Sequence, residues 1–234
     1  ADVGDRANDA IRINGEEVRA KMIGEGANLG VTQLGRIEFA SHGGRLNSDS
    51  IDNSAGVDSS DHEVNIKILL GQVTSTGRLT EPARNKLLAK MTDEVAGLVL
   101  EHNYDQTQAI SLIQSRGIHM VENQHRLIKK LERLGLLNRA VEYLPDDETI
   151  AERMTAKRSF VRPETAVLVS YAKLWTYEEI LDSDVPDDPY LFDDLVNYFP
   201  TPLRKTYRDD IANHRLRREI IATRLTNNMI NRMG

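Results

Sequence analysis

Between Lys21 and Asn65 the chain concentrates residue types that hold and orient ligands. Gly24, Gly26 and Asn28 share one turn, Asn47, Asp49 and Asp52 a second polar run, and Asn53, Ser54, Gly56, Asp58, Ser59 and Ser60 a third. Helices tolerate such a density poorly, because Gly costs about 1 kcal/mol in a helix interior and Asn, Asp and Ser compete for backbone hydrogen bonds. Gly24-Glu25-Gly26-Ala27-Asn28 follows the apolar Met22-Ile23 and begins like a dinucleotide-binding turn, yet Leu29 stands where G-x-G-x-x-G needs its third glycine. Two readings stay open: a phosphate loop, or the exit of a strand at a position needing positive φ. Further on, Ser60-Asp61-His62-Glu63 fits the S/T-x-x-E capping box ahead of Val64, Ile66, Ile68, Leu69 and Leu70, which predicts a helix starting near Asp58 to Ser60. The free N–H groups and dipole at such a start would favour a bound carboxylate or phosphate, although the same residues also serve simply as caps.

Other chemistries find little support. The acids of Asn47 to Asp52 do not follow the calcium-loop order D-x-[DN]-x-[DN]-G-x5-E. The six histidines (His42, His62, His102, His119, His125, His214) show neither H-x-x-x-H nor H-E-x-x-H spacing, so no metal ligand is assigned. A G-x-S-x-G nucleophile turn is absent, and so is Cys, which excludes disulfides and thiolate metal sites and points to a reducing, cytoplasmic setting.

The elements that must position these loops change character along the chain. Asn14-Gly15 is a turn signal, Glu16 to Ala20 could make one helical turn, and Lys21-Met22-Ile23 has the shape of a short buried strand. Val31 to Ala40 fits a helix or a strand equally. After the turn at Ser75 to Arg78 the pattern is helical. Thr80-Glu81-Pro82 starts a helix whose Leu87, Leu88, Met91, Val95, Leu98 and Val99 form one face, ending near His102-Asn103. A second helix is expected over Asp105 to Ser115, closed by Arg116-Gly117, and further ones over Met120 to Leu137, Glu148 to Arg158 and Arg162 to about Leu181, with Trp175 in a core or an interface. The acidic, proline-marked Asp182 to Pro189 connects to short helices at Tyr190 to Tyr198 and Pro202 to Asp209, and a last helix runs from His214 to Gly234.

At 234 residues and 40% apolar content the chain can build substantial cores, and 30 Lys plus Arg against 36 Asp plus Glu gives a net charge of -6. That balance argues against a nucleic-acid or anionic-membrane partner. Arg204, Arg208, Arg215, Arg217, Arg218 and Arg224 gather near the end without interleaved aromatic platforms, so they read as a solvated helix face or a subunit contact. No run approaches the ~18 apolar residues a membrane span needs. Starting at Ala1 within patterned sequence, the chain reads as a fragment.

Glu25-Gly26-Ala27-Asn28, the following Thr32, then Asn53-Ser54-Ala55-Gly56-Val57 with Ser60 and Glu63 resemble the E-G-A-N and N-A-G-G-V-x-x-S-x-x-E segments of glutamate dehydrogenases. The wording of DVGDRANDAIR, GEGANLGVTQ and IDNSAGVDSSDHEVNIKILL is similar to the very large bacterial NAD-specific members. The resemblance implies a mainly α chain: the C-terminal portion of a Rossmann-type α/β NAD domain over residues 1–73, followed by a helical domain over 74–234. It implies NAD as cofactor, L-glutamate and 2-oxoglutarate as substrate and product, and the rest of the same polypeptide and a homo-oligomer as partners.

By position, the resemblance places Gly26, Ala27 and Asn28 against the cofactor with Asn28 at the nicotinamide ribose, Asn53 at both nicotinamide and substrate, and Ser60 on the substrate's side-chain carboxylate. Those three segments are expected to converge on one cleft. Ser54-Ala55 departs from the Ala-Gly of the shorter enzymes. The water-activating lysine, the catalytic Asp and the pyrophosphate turn have no match here, since Lys21 and Lys67 lie at positions the family does not use that way; no catalytic residue is assigned, and the fragment alone is expected to be inactive. The competing expectation is a helical interaction or oligomerisation module whose N-terminal loops are structural.

Overall fold

The computed structural model describes residues 4–26 and 30–233, and helices carry its architecture. In chain order they are α1 (Gln33–Ser41), α2 (Asp49–Asp52), α3 (Ser54–Ser75), α4 (Glu81–Ala89), α5 (Thr92–Arg116), α6 (Val121–Arg133), α7 (Asp147–Thr155), α8 (Arg162–Leu181), α9 (Phe192–Tyr198), α10 (Thr201–Arg204), α11 (Arg208–Ala212) and α12 (Arg217–Met233). Short 3-10 turns, among them Gly15–Glu17 and Gly117–Met120, fill several of the gaps. Among the described residues no strand forms. The buried strand expected at Lys21-Met22-Ile23 is instead an isolated parallel bridge between Met22 and Arg45, with Met22 67% exposed. Two backbone bonds hold it, Ile23 N–H to Arg45 O at 3.0 Å and Arg45 N–H to Lys21 O at 3.1 Å, too few to make a ladder without further strands.

Contacts divide the chain into two compact units, one gathering residues up to Asn53 with Thr107–Tyr171, the other Ser54–Gln106 with Ala172–Met233. In the first unit the ambiguous Val31 to Ala40 segment resolves as α1. Thr32 caps it by accepting from Gly35 N–H at 3.1 Å, and Phe39 is buried. Asn14 starts the 3-10 turn with a true capping box, its own N–H donating to Glu17 Oε2 at 2.7 Å. Val121, Gln124, Ile128 and Leu131 form the buried face of α6, and Gly135 at φ +70° follows it. The helix expected as far as Leu137 ends at Arg133, and Leu134 beyond it is 46% exposed. Asp146 caps α7 by accepting from Thr149 N–H at 2.8 Å. The expected span of α8 is met, with Pro163 and Glu164 in its first turn.

The second unit encloses a core of Ile66, Leu69, Leu70, Met91, Leu195, Phe199, Leu203, Ile211, Ile220 and Ile221, supplied by α3, α9, α10, α11, α12 and the α4–α5 junction. Two expected boundaries move. The helix expected to end near His102-Asn103 breaks earlier, at Lys90-Met91, and then runs unbroken to Arg116. Neither Gly nor Pro lies between Tyr104 and Arg116, and Gly117, at φ +52°, is the stop. The helix expected to begin near Ser60 begins at Ser54, so Ser60-Asp61-His62-Glu63 lies inside α3 and is no capping box. Gly56 costs about 1 kcal/mol there, small beside the burial of Ile66, Leu69, Leu70 and Val73 on the same helix.

Candidate functional site

In the first unit, Glu25 gathers donors from Gly30, Val31 and Arg36. Its Oε1 accepts from the N–H groups of Gly30 at 2.6 Å and Val31 at 2.9 Å, while Oε2 accepts from Arg36 Nη2 at 2.6 Å and Nε at 3.2 Å. Arg36 is buried, 4% exposed, and its Nη1 also lies 3.5 Å from Asp49 Oδ1. Burial acts to raise the Glu25 carboxyl, but Arg36 and the two amides outweigh it and hold the group below the usual carboxylate range. A carboxylate thus ties the amides of Gly30 and Val31 to Arg36; Ala27 and Asn28, expected against the cofactor, lie outside the described residues.

Gly26 leaves the clamp exposed, and a Cβ built on it would meet nothing within 4 Å, so its backbone is open to a ligand. Asn53 is half-buried at the C-terminal end of α2, its N–H donating to Asp49 O at 2.8 Å. The two turns do meet within this unit, since Glu25 N–H donates to Asp52 Oδ2 at 3.3 Å, putting the residues before Gly26 and before Asn53 in direct contact. Asp52 is held in turn by Asn47 Nδ2 at 2.6 Å, and Asn47 Oδ1 by Arg162 Nε at 2.6 Å. The Asp residues of this run therefore act as hydrogen-bond anchors. Sequence reasoning missed Arg36 and Arg162 because their partners are distant in the chain.

Ser60 belongs to the second unit. It lies on an exposed face of α3 together with Gly56, Val57, Ser59, Glu63 and Val64, with Val57 65% and Val64 50% exposed. Since α3 starts at Ser54, the amides around Ser60 are engaged in the helix ladder, and the free N–H groups lie at the Ser54 turn. What Ser60 offers a carboxylate is its hydroxyl.

The opposite face of α3 carries a polar cluster the sequence did not announce. His102 Nδ1 lies 2.8 Å from Asp58 Oδ2, and His62 Nε2 lies 3.9 Å from Asp58 Oδ1. Tyr198 stacks on His62 with centroids 4.6 Å apart, donates to Asp61 Oδ2 at 2.9 Å and accepts from Asn65 Nδ2 at 2.9 Å. Burial pushes the His62 imidazole below its usual pKa, whereas the hydrogen bond to Asp58 raises that of His102. Nearby, Lys173 donates to Gln106 Oε1 at 2.6 Å, and desolvation brings its ammonium down to about 8 against the opposing pull of Asp58 and Asp105.

The terminal arginines are mostly occupied within this unit: Arg208 with Asp193 at 2.8 Å, Arg217 and Arg218 with Asp187, Arg224 with Asp194 at 3.6 Å, and Arg204 with Glu94 at 3.5 Å. Among the described residues no helix is long and apolar enough to cross a membrane.

Comparison with known proteins bears on these residues. The family described as bacterial NAD-glutamate dehydrogenase, catalytic domain, matches residues 1–113, and the family described as glutamate dehydrogenase, C-terminal, matches residues 157–234. The chain is 53% identical over all 234 residues to an NAD-specific glutamate dehydrogenase of Pseudomonas aeruginosa. It is 49% identical to that of Halomonas elongata and 47% to that of Mycobacterium tuberculosis, again over its whole length. It spans 14% of the length of each of these relatives.

Proposed function

The chain belongs to the bacterial NAD-glutamate dehydrogenase family, and from that premise we propose that it is the segment completing the NAD-binding domain, up to residue 73, and continuing into a helical region of an enzyme that oxidises L-glutamate. The observation that carries this reading is identity of 47–53% over all 234 residues, a span that contains both loop segments.

NAD, when bound, accepts the hydride released as glutamate is converted to 2-oxoglutarate and ammonia. In this reading Gly26, Ala27 and Asn28 contact the cofactor, whose approach the open backbone at Gly26 permits. Asn53, fixed at the end of α2, contributes its amide to nicotinamide and substrate. Ser60 donates its hydroxyl to the side-chain carboxylate of glutamate from the exposed face of α3. The groups that move the proton and activate water lie in other parts of the polypeptide, so the 234 residues do not turn over alone.

The test is kinetic. In the full-length enzyme Ser60→Ala removes one hydrogen bond to a charged group, about 1.5–3 kcal/mol, which weakens glutamate binding roughly tenfold or more and leaves NAD affinity unchanged. Unchanged glutamate affinity would remove Ser60 from the substrate site.

A further inference from the structure

Among the described residues one cluster has the composition of a metal site: Asp58, His62 and His102. Asp58 and His62 stand one turn apart on α3, His102 comes from α5, and one ligating atom of each lies within 4.8 Å of the other two. His62 is 1% exposed, yet neither of its ring nitrogens has a hydrogen-bond partner. A buried imidazole that satisfies nothing leaves the lost hydration of each ring nitrogen uncompensated. The ring is nevertheless held in one plane, stacked on Tyr198 at 4.6 Å and facing His102 at 6.1 Å, so its Nε2 stays directed toward Asp58.

We propose that Asp58, His62 and His102 bind a divalent transition-metal ion of the zinc class through His62 Nε2, His102 Nδ1 and one Asp58 oxygen. Two imidazoles and a carboxylate form a three-ligand donor set of the kind zinc uses when a fourth position is left to water or another molecule. Nitrogen donors of this kind disfavour calcium and magnesium, which take oxygen shells. Tetrahedral bonds of about 2.0–2.1 Å set ligand atoms roughly 3.3 Å apart. His102 Nδ1 lies 2.8 Å from Asp58 Oδ2 and His62 Nε2 lies 3.9 Å from Asp58 Oδ1, so each imidazole faces its own carboxylate oxygen. A rotation of the carboxylate that brings one oxygen between the two nitrogens completes the donor set. The ion would take the place of the proton now shared between His102 and Asp58 and give His62 the partner it lacks. Asp61, fixed by Tyr198 and Asn65, adds a further negative charge beside the cluster. The site is separate from the exposed face bearing Ser60 and stands whether or not the dehydrogenase reading does.

The experiment uses the full-length protein, stripped with chelator, loaded with zinc alone and measured by elemental analysis alongside variants checked for folding by circular dichroism. Wild type is expected to hold one more equivalent of zinc per chain than Asp58→Asn and His102→Ala. Equal zinc content in folded wild type and folded His102→Ala overturns the proposal. Cobalt loading gives an independent readout that does not depend on deleting a ligand. His102→Cys keeps three donors and is expected to add a sulfur-to-cobalt charge-transfer band absent from wild type, and a folded His102→Cys protein without that band refutes the site. Neither measurement depends on glutamate or NAD, so failure here leaves the proposed function standing.

Discussion

Arg36 and Glu25 form a buried ion pair, with both Nη2 and Nε of Arg36 donating to the same carboxylate oxygen while the other oxygen receives the amides of Gly30 and Val31. Breaking such a pair by removing one partner strands a buried charge, and Arg36→Ala is expected to cost about 3–5 kcal/mol. It also releases Glu25 beside Gly26, so in the full-length enzyme NAD affinity should fall with it. Urea titration and NAD titration of the same variant check the two effects.

Because Glu25 is held below its ordinary value of 4.5, its ionised form contributes stability that is fully present above that value. The contribution is lost as pH falls through the lower folded value. Glu25→Gln should therefore lower stability at neutral pH and flatten the acid limb of a stability-against-pH curve. An acid limb identical to wild type would show that Glu25 carries no such linkage.

Gly15 lies against α1 with no room for a side chain. A Cβ there would sit 2.6 Å from Gly35 O and 2.7 Å from Phe39 N, both backbone atoms that cannot swing aside. Gly15→Ala is expected to destabilise by about 1–3 kcal/mol through overpacking. Gly24, where an added Cβ meets nothing within 4 Å, is the control, and Gly24→Ala should stay within about 0.5 kcal/mol of wild type. Denaturation midpoints of the pair decide it.

What was legible in the sequence follows the range of the interactions. α8 was readable because Pro163 and Glu164 mark its start beside an apolar run, all local signals. The start of α3 was not, because a well-formed S/T-x-x-E pattern at Ser60 competed with a glycine-bearing turn that the helix absorbs at modest cost. Lys21 to Ile23 had the composition of a strand, but a strand is made by its neighbours, and among the described residues its pairing stops at one bridge to Arg45. At the candidate site, Gly26 and Asn53 were singled out from local wording alone. Arg36, Asp52 and the Asp58–His62–His102 cluster were not, since the cluster substitutes a carboxylate for the first histidine of a helical pair and draws its third member from another helix.

Glu164 is fully buried at the third position of α8 and serves three donors. Arg153 reaches it through Nη1 at 2.8 Å and Nη2 at 3.0 Å, and Val161 N–H donates to Oε2 at 2.8 Å, the backward half of a capping box. Glu164→Gln preserves volume but turns an NH2 group toward a guanidinium and discards the charge. A loss of about 3–5 kcal/mol is expected, and Arg153→Met in the Glu164→Gln background should add little, because the pair has already been broken. A double-mutant cycle showing simple additivity would exclude this coupling.

Tyr198 presents the opposite case, in which a buried hydroxyl is expected to matter little. Its ring is 3% exposed and stacks on His62, while its hydroxyl bridges Asp61 and Asn65. Burial and Asp61 push the phenol well above its usual pKa, so the bridge is a neutral donor to a carboxylate at all ordinary pH. In Tyr198→Phe, Asn65 Nδ2 keeps Asp61 Oδ1 at 3.2 Å and the exposed Asp61 can turn to water, so only about 0.5–1.5 kcal/mol should be lost. Tyr198→Ala removes the ring itself from the core shared by α3 and α9 and should cost about 3–5 kcal/mol. Thermal melts that put the two substitutions within 1 kcal/mol of each other, a difference of about fivefold in the folding equilibrium, would mean that the hydroxyl bridge rather than the stacked ring holds this part of the unit together.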